Sequence, residues 1–167
     1  MKGLRLPEPS LPALGYEVTK VIHENLGAVM AFAFSRSALR EHVDKLHGYW
    51  KYLEKALFEY PEQQSVRAVI ELAVMYRALD DVQDISSFNK HLGPFGELWD
   101  LQGRKRPLSL RAVANKVIHA ERIEWSFSDP SDPRVICYPA PNQTKFKWTK
   151  ASISISRFAA VCGGLMS

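Results

Sequence analysis

The sequence is poor in cysteine: Cys137 and Cys162 are the two thiols in 167 residues. Two cysteines make no disulfide framework, so the fold has to be held by packing. Long hydrophobic runs are also missing. The longest, from Leu26 to Phe34 with Gly27 as its one interruption, is nine residues long, and a bilayer span needs roughly 20. No apolar leader follows Met1, so no signal peptide is expected. No glycine-rich phosphate loop precedes a helix, no Gly-Xaa-Ser-Xaa-Gly elbow exists, and no cysteine/histidine spacing forms a zinc knuckle. His23-Glu24 lacks the second histidine of a zinc-protease helix, and His42 and His47 would diverge on a helix. A cytoplasmic protein is expected, with no membrane contact, no metal and no cofactor. The sequon Asn142-Gln143-Thr144 is then a chance match.

What is present is ordinary globular composition, with 46% hydrophobic and 24% charged residues. That argues for a packed core rather than disorder, and the length suits one domain. The net charge of +4 permits an anionic partner without demanding one.

Residues 1–15 hold three prolines and two glycines and read as an extended arm; residues 16–167 read as one domain. Val18, Ile22, Leu26, Val29 and Ala33 have helical spacing. Ser35 or Ser37 can cap a second helix, in which Leu39, Val43, Leu46, Trp50, Leu53, Leu57 and Tyr60 form a heptad seam that Pro61 ends. Ser65 can cap a third helix, apolar over most of its surface through Val66, Val69, Ile70, Ala73, Val74 and Leu79. Within it Arg67 pairs with Glu71, and Arg77 with Asp80 and Asp81. The cluster Asp80, Asp81 and Asp84 reads as a solvated helix end, because no second acidic segment joins it to hold a metal. Residues 82–107 carry Gly93, Pro94, Gly96, Gly103 and Pro107 and read as a loop with one helical turn, packed inward through Phe95, Leu98 and Trp99. Ser109 caps a fourth helix.

After His119 the period changes from 3.6 to 2. Ile123, Trp125 and Phe127 mark one strand, Arg134 to Tyr138 a second, and Lys145 to Thr149 a third that extends through Ile153 and Ile155. Lys145 and Lys147 are expected outward, with Phe146 and Trp148 inward. Cys137 reads as a small buried thiol. Arg157 to Met166 reads as a closing helix. The expected fold class is α+β: about four helices over 16–120, then a three-stranded antiparallel meander and a short C-terminal helix over 121–167.

One stripe lines up reactive groups by pattern. Arg111, Asn115 and His119 are four apart, so on a helix they lie on a shallow stripe about 12 Å long. Histidine can take a proton near neutral pH, arginine can hold a phosphate, and asparagine can orient either. Those are the parts of metal-free phosphodiester cleavage. The structural alternative has His119 bonded at the helix end, Asn115 tying the helix to the following sheet and Arg111 solvated. Arg104, Lys105 and Arg106, just before this helix, are the candidate phosphate contacts.

A mostly helical region ending in Asn115-Lys-Val-Ile-His119 resembles the HEPN-like superfamily. Many of its members are metal-independent ribonucleases of toxin–antitoxin and phage-defence systems, and others are inactive binding modules. Its motif has an arginine, commonly followed by a polar residue, with a histidine four to six positions beyond the arginine. Asn115 and His119 fit the polar and histidine positions; Ala114 stands in the arginine's place, and Arg111 lies one turn earlier. The resemblance implies RNA as partner, Arg111, Asn115 and His119 as catalytic residues, and a homodimer through the helical part. The other class of function is a non-catalytic interaction protein that packs a partner on the Leu39–Tyr60 seam.

Overall fold

The computed structural model describes residues 16–45, 48, 52–141 and 147–165, without the side chains of residues 16, 17 and 88. The N-terminal arm, Leu46 and Trp50 of the seam, His47, the sequon, Lys145 and Phe146 of the third strand, and Met166 lie outside them.

The first helix, α1 (Tyr16–Asp44), is 29 residues long. It runs through Ser35 and Ser37, where a new start is expected from the sequence. A serine caps a helix only where the backbone leaves it, and residues 34–40 contain neither glycine nor proline to make it leave. Its buried residues, Ile22, Val29, Phe32, Ala33 and Val43, keep one face inward. A π-helical turn, Lys55–Glu59, leads directly into α2 (Tyr60–Gln83). Pro61 therefore opens a helix instead of ending one, in the first turn where its missing N–H is no loss. The expected heptad helix to Tyr60 is thus divided, and Leu53 and Tyr60 of its seam are exposed. Ser65 lies inside α2, buried, with its Oγ donating to the Glu62 carbonyl at 2.7 Å.

The stretch expected as loop holds four elements. They are α3 (Ile85–Phe88), a 3₁₀ turn (Lys90–Leu92), β1 (Gly96–Asp100) and β2 (Lys105–Pro107). Gly96 begins β1 because any side chain is excluded there. A Cβ would stand 2.0 Å from the Ser152 carbonyl oxygen of the neighbouring strand. Next comes α4 (Leu110–Ile118), capped by Ser109, whose Oγ accepts from the Ala112 N–H at 3.3 Å. The strands β3 (Arg122–Ser126), β4 (Arg134–Tyr138) and β5 (Trp148–Ser154) follow, and α5 (Ile155–Gly164) closes the described chain.

The fold is α+β, with five α-helices among the described residues, α5 being the closing one, and a sheet of five strands instead of the expected three-stranded meander. The sheet is antiparallel, in the order β2-β1-β5-β4-β3. Two of its strands precede α4, so the helical part and the sheet are interleaved along the chain.

Register separates the sheet's two faces. Leu98, Ala151, Cys137 and Ile123 stand in one row across four strands, and Ile153, Val135 and Trp125 in the next. This face joins the core with Leu72, Ala73 and Tyr76 of α2, Val113 and Val117 of α4, and Phe158 and Cys162 of α5. A register shift at Trp99/Asp100 turns Trp148 to the same side, where it is buried. The opposite face carries Trp99, Lys105, Lys150, Arg134, Tyr138 and Arg122.

Candidate functional site

The Arg111/Asn115/His119 stripe is a helix–helix joint for two of its three residues. The Arg111 guanidinium donates to Asp80 Oδ2 at 2.5 Å and to Asp81 Oδ1 at 2.6 Å. Asn115 Oδ1 accepts from Arg77 Nη1 at 2.5 Å, and Arg77 Nε donates to both oxygens of Asp81. Two arginines, two aspartates and an asparagine thus alternate between α2 and α4. Arg77 pairs with Asp81 but not with Asp80, which turns the other way.

Asp80 is not part of a solvated helix end. Its side chain is wholly buried, and its oxygens accept from the Ser86 N–H at 2.7 Å, Ser86 Oγ at 3.2 Å and Tyr76 Oη at 3.4 Å. A buried carboxylate is tolerable when a cation and several donors satisfy it, and Arg111 is that cation. The partners on α2 were the missed signal, since no local spacing ties residue 80 to residue 111. Asp84 ends α2 in the left-handed conformation, at φ 50°, so it does not share a helix face with Asp80.

The electrostatics follow the pairing. Hydrogen bonds from Arg77 and then Arg111 hold the Asp81 carboxyl below the usual carboxylate range. Hydrogen bonds to Asp81 and Asp80 raise the Arg111 guanidinium. Desolvation pushes the Tyr76 phenol well up, so it serves here as a neutral donor. His119 stands apart from this network: it is exposed at the C-terminal cap of α4, its backbone N–H bonded to the carbonyls of Asn115 and Val117. Arg111 is therefore committed to two carboxylates.

The basic residues before α4 are split by their strand. Lys105 is level with Trp99 on the open face, Arg106 pairs with Leu98 on the other side, and Arg104 lies in the turn. All three are well exposed, and each has an acid beside it. Arg104 meets Asp100 at 2.8 Å, Arg106 meets Asp100 at 3.6 Å, and Lys105 meets Glu97 at 3.5 Å. Burial pushes the Asp100 carboxyl up, but N–H donors from Arg104 and Gln102 and the Arg104 side chain outweigh it and hold the group low.

The open sheet face brings together what no single segment announces. The ammonium groups of Lys105 and Lys150 lie 5.1 and 4.3 Å from the centre of the Trp99 ring, and the Arg122 guanidinium lies 4.1 Å from that of Tyr138. Trp99 and Tyr138 are half-buried, with rings available to a cation from the solvent side. A cleft of about 720 Å³ opens where these strands end, lined by Leu101, Arg122, Tyr138, Pro139, Pro141 and Trp148 among others. Behind Trp148, on the helix side, Lys116 lies 4.6 Å from its ring, and burial lowers that amine. Trp99 and Lys150 are 51 positions apart in sequence, so the pairing depends on the β1–β5 register.

Among the described residues no three His, Cys, Asp or Glu side chains are grouped to hold a metal ion, and no helix is long and apolar enough to cross a membrane. The fold and this surface define an α+β protein with helices on one sheet face and a second face of aromatic rings and cations, where Lys105 is paired with Glu97 and Arg122 with Glu124. No family model, curated protein or solved structure matches the chain.

Proposed function

We propose that this chain is a non-catalytic RNA-binding protein that takes single-stranded RNA on the open sheet face. On that reading it behaves like the inactive binding modules of the HEPN-like superfamily, which α4 resembles, and works in the cytoplasm as a homodimer through its helical part. The observation that carries the proposal is the Trp99 ring flanked by Lys105 and Lys150. Lysines that rest on an aromatic ring can move to phosphates while a base takes their place on the ring. The Arg122–Tyr138 pair and the adjoining cleft supply a second stacking position further along the sheet. Nuclease activity is disfavoured because Arg111 spends its guanidinium on Asp80 and Asp81. A cation held by two carboxylates has little charge left for a phosphate.

The test is fluorescence anisotropy with labelled single-stranded RNA, with duplex RNA and single-stranded DNA as comparisons. Trp99→Ala should weaken single-strand binding by about 5- to 150-fold, since a base–aromatic stack is worth about 1–3 kcal/mol. Incubation of the same RNA with the wild type and with His119→Ala, in EDTA, should leave it intact in both. Binding unchanged by Trp99→Ala would sink the proposed surface. Cleavage that needs His119 would restore the nuclease reading.

A further inference from the structure

On the open sheet face a carboxylate stands beside each aromatic ring. Glu97 and Trp99 alternate on β1 with Leu98 between them, and Leu98 packs on the core, so both point to the open side. Lys105 bridges the two: its ammonium lies 3.5 Å from Glu97 Oε2 and 5.1 Å from the centre of the Trp99 ring. Arg122 bridges Glu124 and Tyr138 in the same way, 2.7 Å from the carboxylate and 4.1 Å from the ring centre. The two acids differ in what else holds them. Glu124 also has a hydrogen bond from the Tyr138 hydroxyl, whereas Lys105 is the one donor at Glu97 among the described residues. That ion pair is loose and exposed, with 60% of the lysine and 43% of the glutamate side chain open to solvent, so little holds it together.

We propose that the base stacked on Trp99 is a guanine, read by the Glu97 carboxylate. The inference rests on the RNA reading above and names the base that this position selects. In that reading Lys105 leaves the ring for a phosphate and the base takes its place. The same ammonium is the partner of Glu97, so the edge of the incoming base comes to lie beside a carboxylate that has lost its donor. An ionised carboxylate only accepts, through two oxygens. Guanine presents two adjacent donors on its Watson–Crick edge, N1–H and the N2 amine, and they match the two oxygens. Adenine and cytosine each present one amine next to a ring-nitrogen lone pair, and uracil presents one N–H between two carbonyl oxygens. Each of these turns an acceptor toward the carboxylate and leaves one oxygen without a donor, which weakens binding. Stacking on Trp99 tolerates every base, because every base has a π-face. Glu97 is the side chain that distinguishes them.

Fluorescence anisotropy of the full chain with four labelled oligouridylates of equal length tests this. One strand is all uridine, and the others carry a single guanosine, inosine or adenosine at the centre. The guanosine strand should bind about 5- to 150-fold more tightly than the adenosine strand, the discrimination of one bidentate base contact. Inosine keeps N1–H and lacks the N2 amine, so its strand should fall between them. Glu97→Gln keeps the size and shape of the side chain, but its amide offers one donor and one acceptor, the pattern that adenine matches. This variant should lose the guanosine preference and favour the adenosine strand. Loss of negative charge alone would tighten all four strands by the same factor and leave their order unchanged. Equal affinity of the wild type for the guanosine and adenosine strands, or a guanosine preference that survives Glu97→Gln, would overturn the inference and leave the RNA reading in place. Binding of none of the strands would overturn both.

Discussion

Arg111 decides how the α4 stripe is understood. Its side chain is 39% exposed, while the Asp80 side chain that it bonds is fully buried. Removing the arginine would leave a buried carboxylate with three neutral donors and no cation. Arg111→Ala is therefore expected to destabilise the fold by about 2–3 kcal/mol, the cost of a buried charged group that loses its partner. Pairing Arg111→Ala with Asp80→Asn should recover part of that loss, because the amide carries no charge to strand. Urea denaturation of the two single variants and the double variant measures the coupling. Additive losses would mean that the pair does not carry the joint between α2 and α4. The stripe itself was legible in the sequence, since Arg111, Asn115 and His119 do fall on α4 or its cap. Its meaning was not, because Asp80 and Arg77 approach α4 across more than 30 residues of chain.

At the scale of elements, legibility follows how local the determinants are. The Ser109 cap, the apolar spacing of α4 and the alternation of Ile123 and Trp125 act over a few residues, and those elements are where the sequence places them. The short strands β1 and β2 carry Gly96 and Pro107 and read as loop. They exist because β5 and β1 pair across the sheet, a contact that no window of sequence contains. Gly96 is the clearest case: it marks a close approach of two backbones rather than a chain break. Gly96→Ala should lower stability by about 3 kcal/mol, at the high end of overpacking costs, because the atom that the new Cβ meets is a backbone carbonyl. Thermal unfolding reads this directly, and a melting temperature equal to the wild type's would mean that β1 can shift away from β5 at no cost. On α2 the apolar residues exceed what its buried face needs. The sequence reads this helix as apolar over most of its surface, and the surplus, Ile70, Val74 and Val82, is exposed.

For the whole molecule, the depressed carboxylates set the acid limb of stability. Asp81 is held low by Arg77 and Arg111, and Glu71 by Arg67 and then Asn25. A folded-state pKa below the unfolded one means that the unfolded chain binds more protons in the interval between them. The stabilisation is then complete above the ordinary carboxylate range, about pH 4, and is lost as pH falls through the lowered values. Melting temperature should be flat near neutrality and drop below about pH 4. Asp81→Asn should shallow that drop, and added salt should shrink the difference because these groups are largely exposed. A drop of the same steepness in Asp81→Asn would take this ion network out of the acid response.

The proposed RNA binding at the open face carries its own signature in salt. Lys105, Lys150 and Arg122 sit on one sheet surface beside two aromatic rings. If each meets one phosphate, three counterions leave the RNA on binding, and the logarithm of affinity should fall against log salt with a slope of about −2. Lys150→Ala should reduce that slope by about 0.7, the share of one contact on a single strand. Trp99→Ala should leave the slope alone and lower affinity at every salt concentration, since stacking releases no counterion. Anisotropy titrations at several salt concentrations separate the two effects within one experiment. Equal slopes for Lys150→Ala and the wild type would remove the lysines from the phosphate path, and with them the reason for placing RNA on this face.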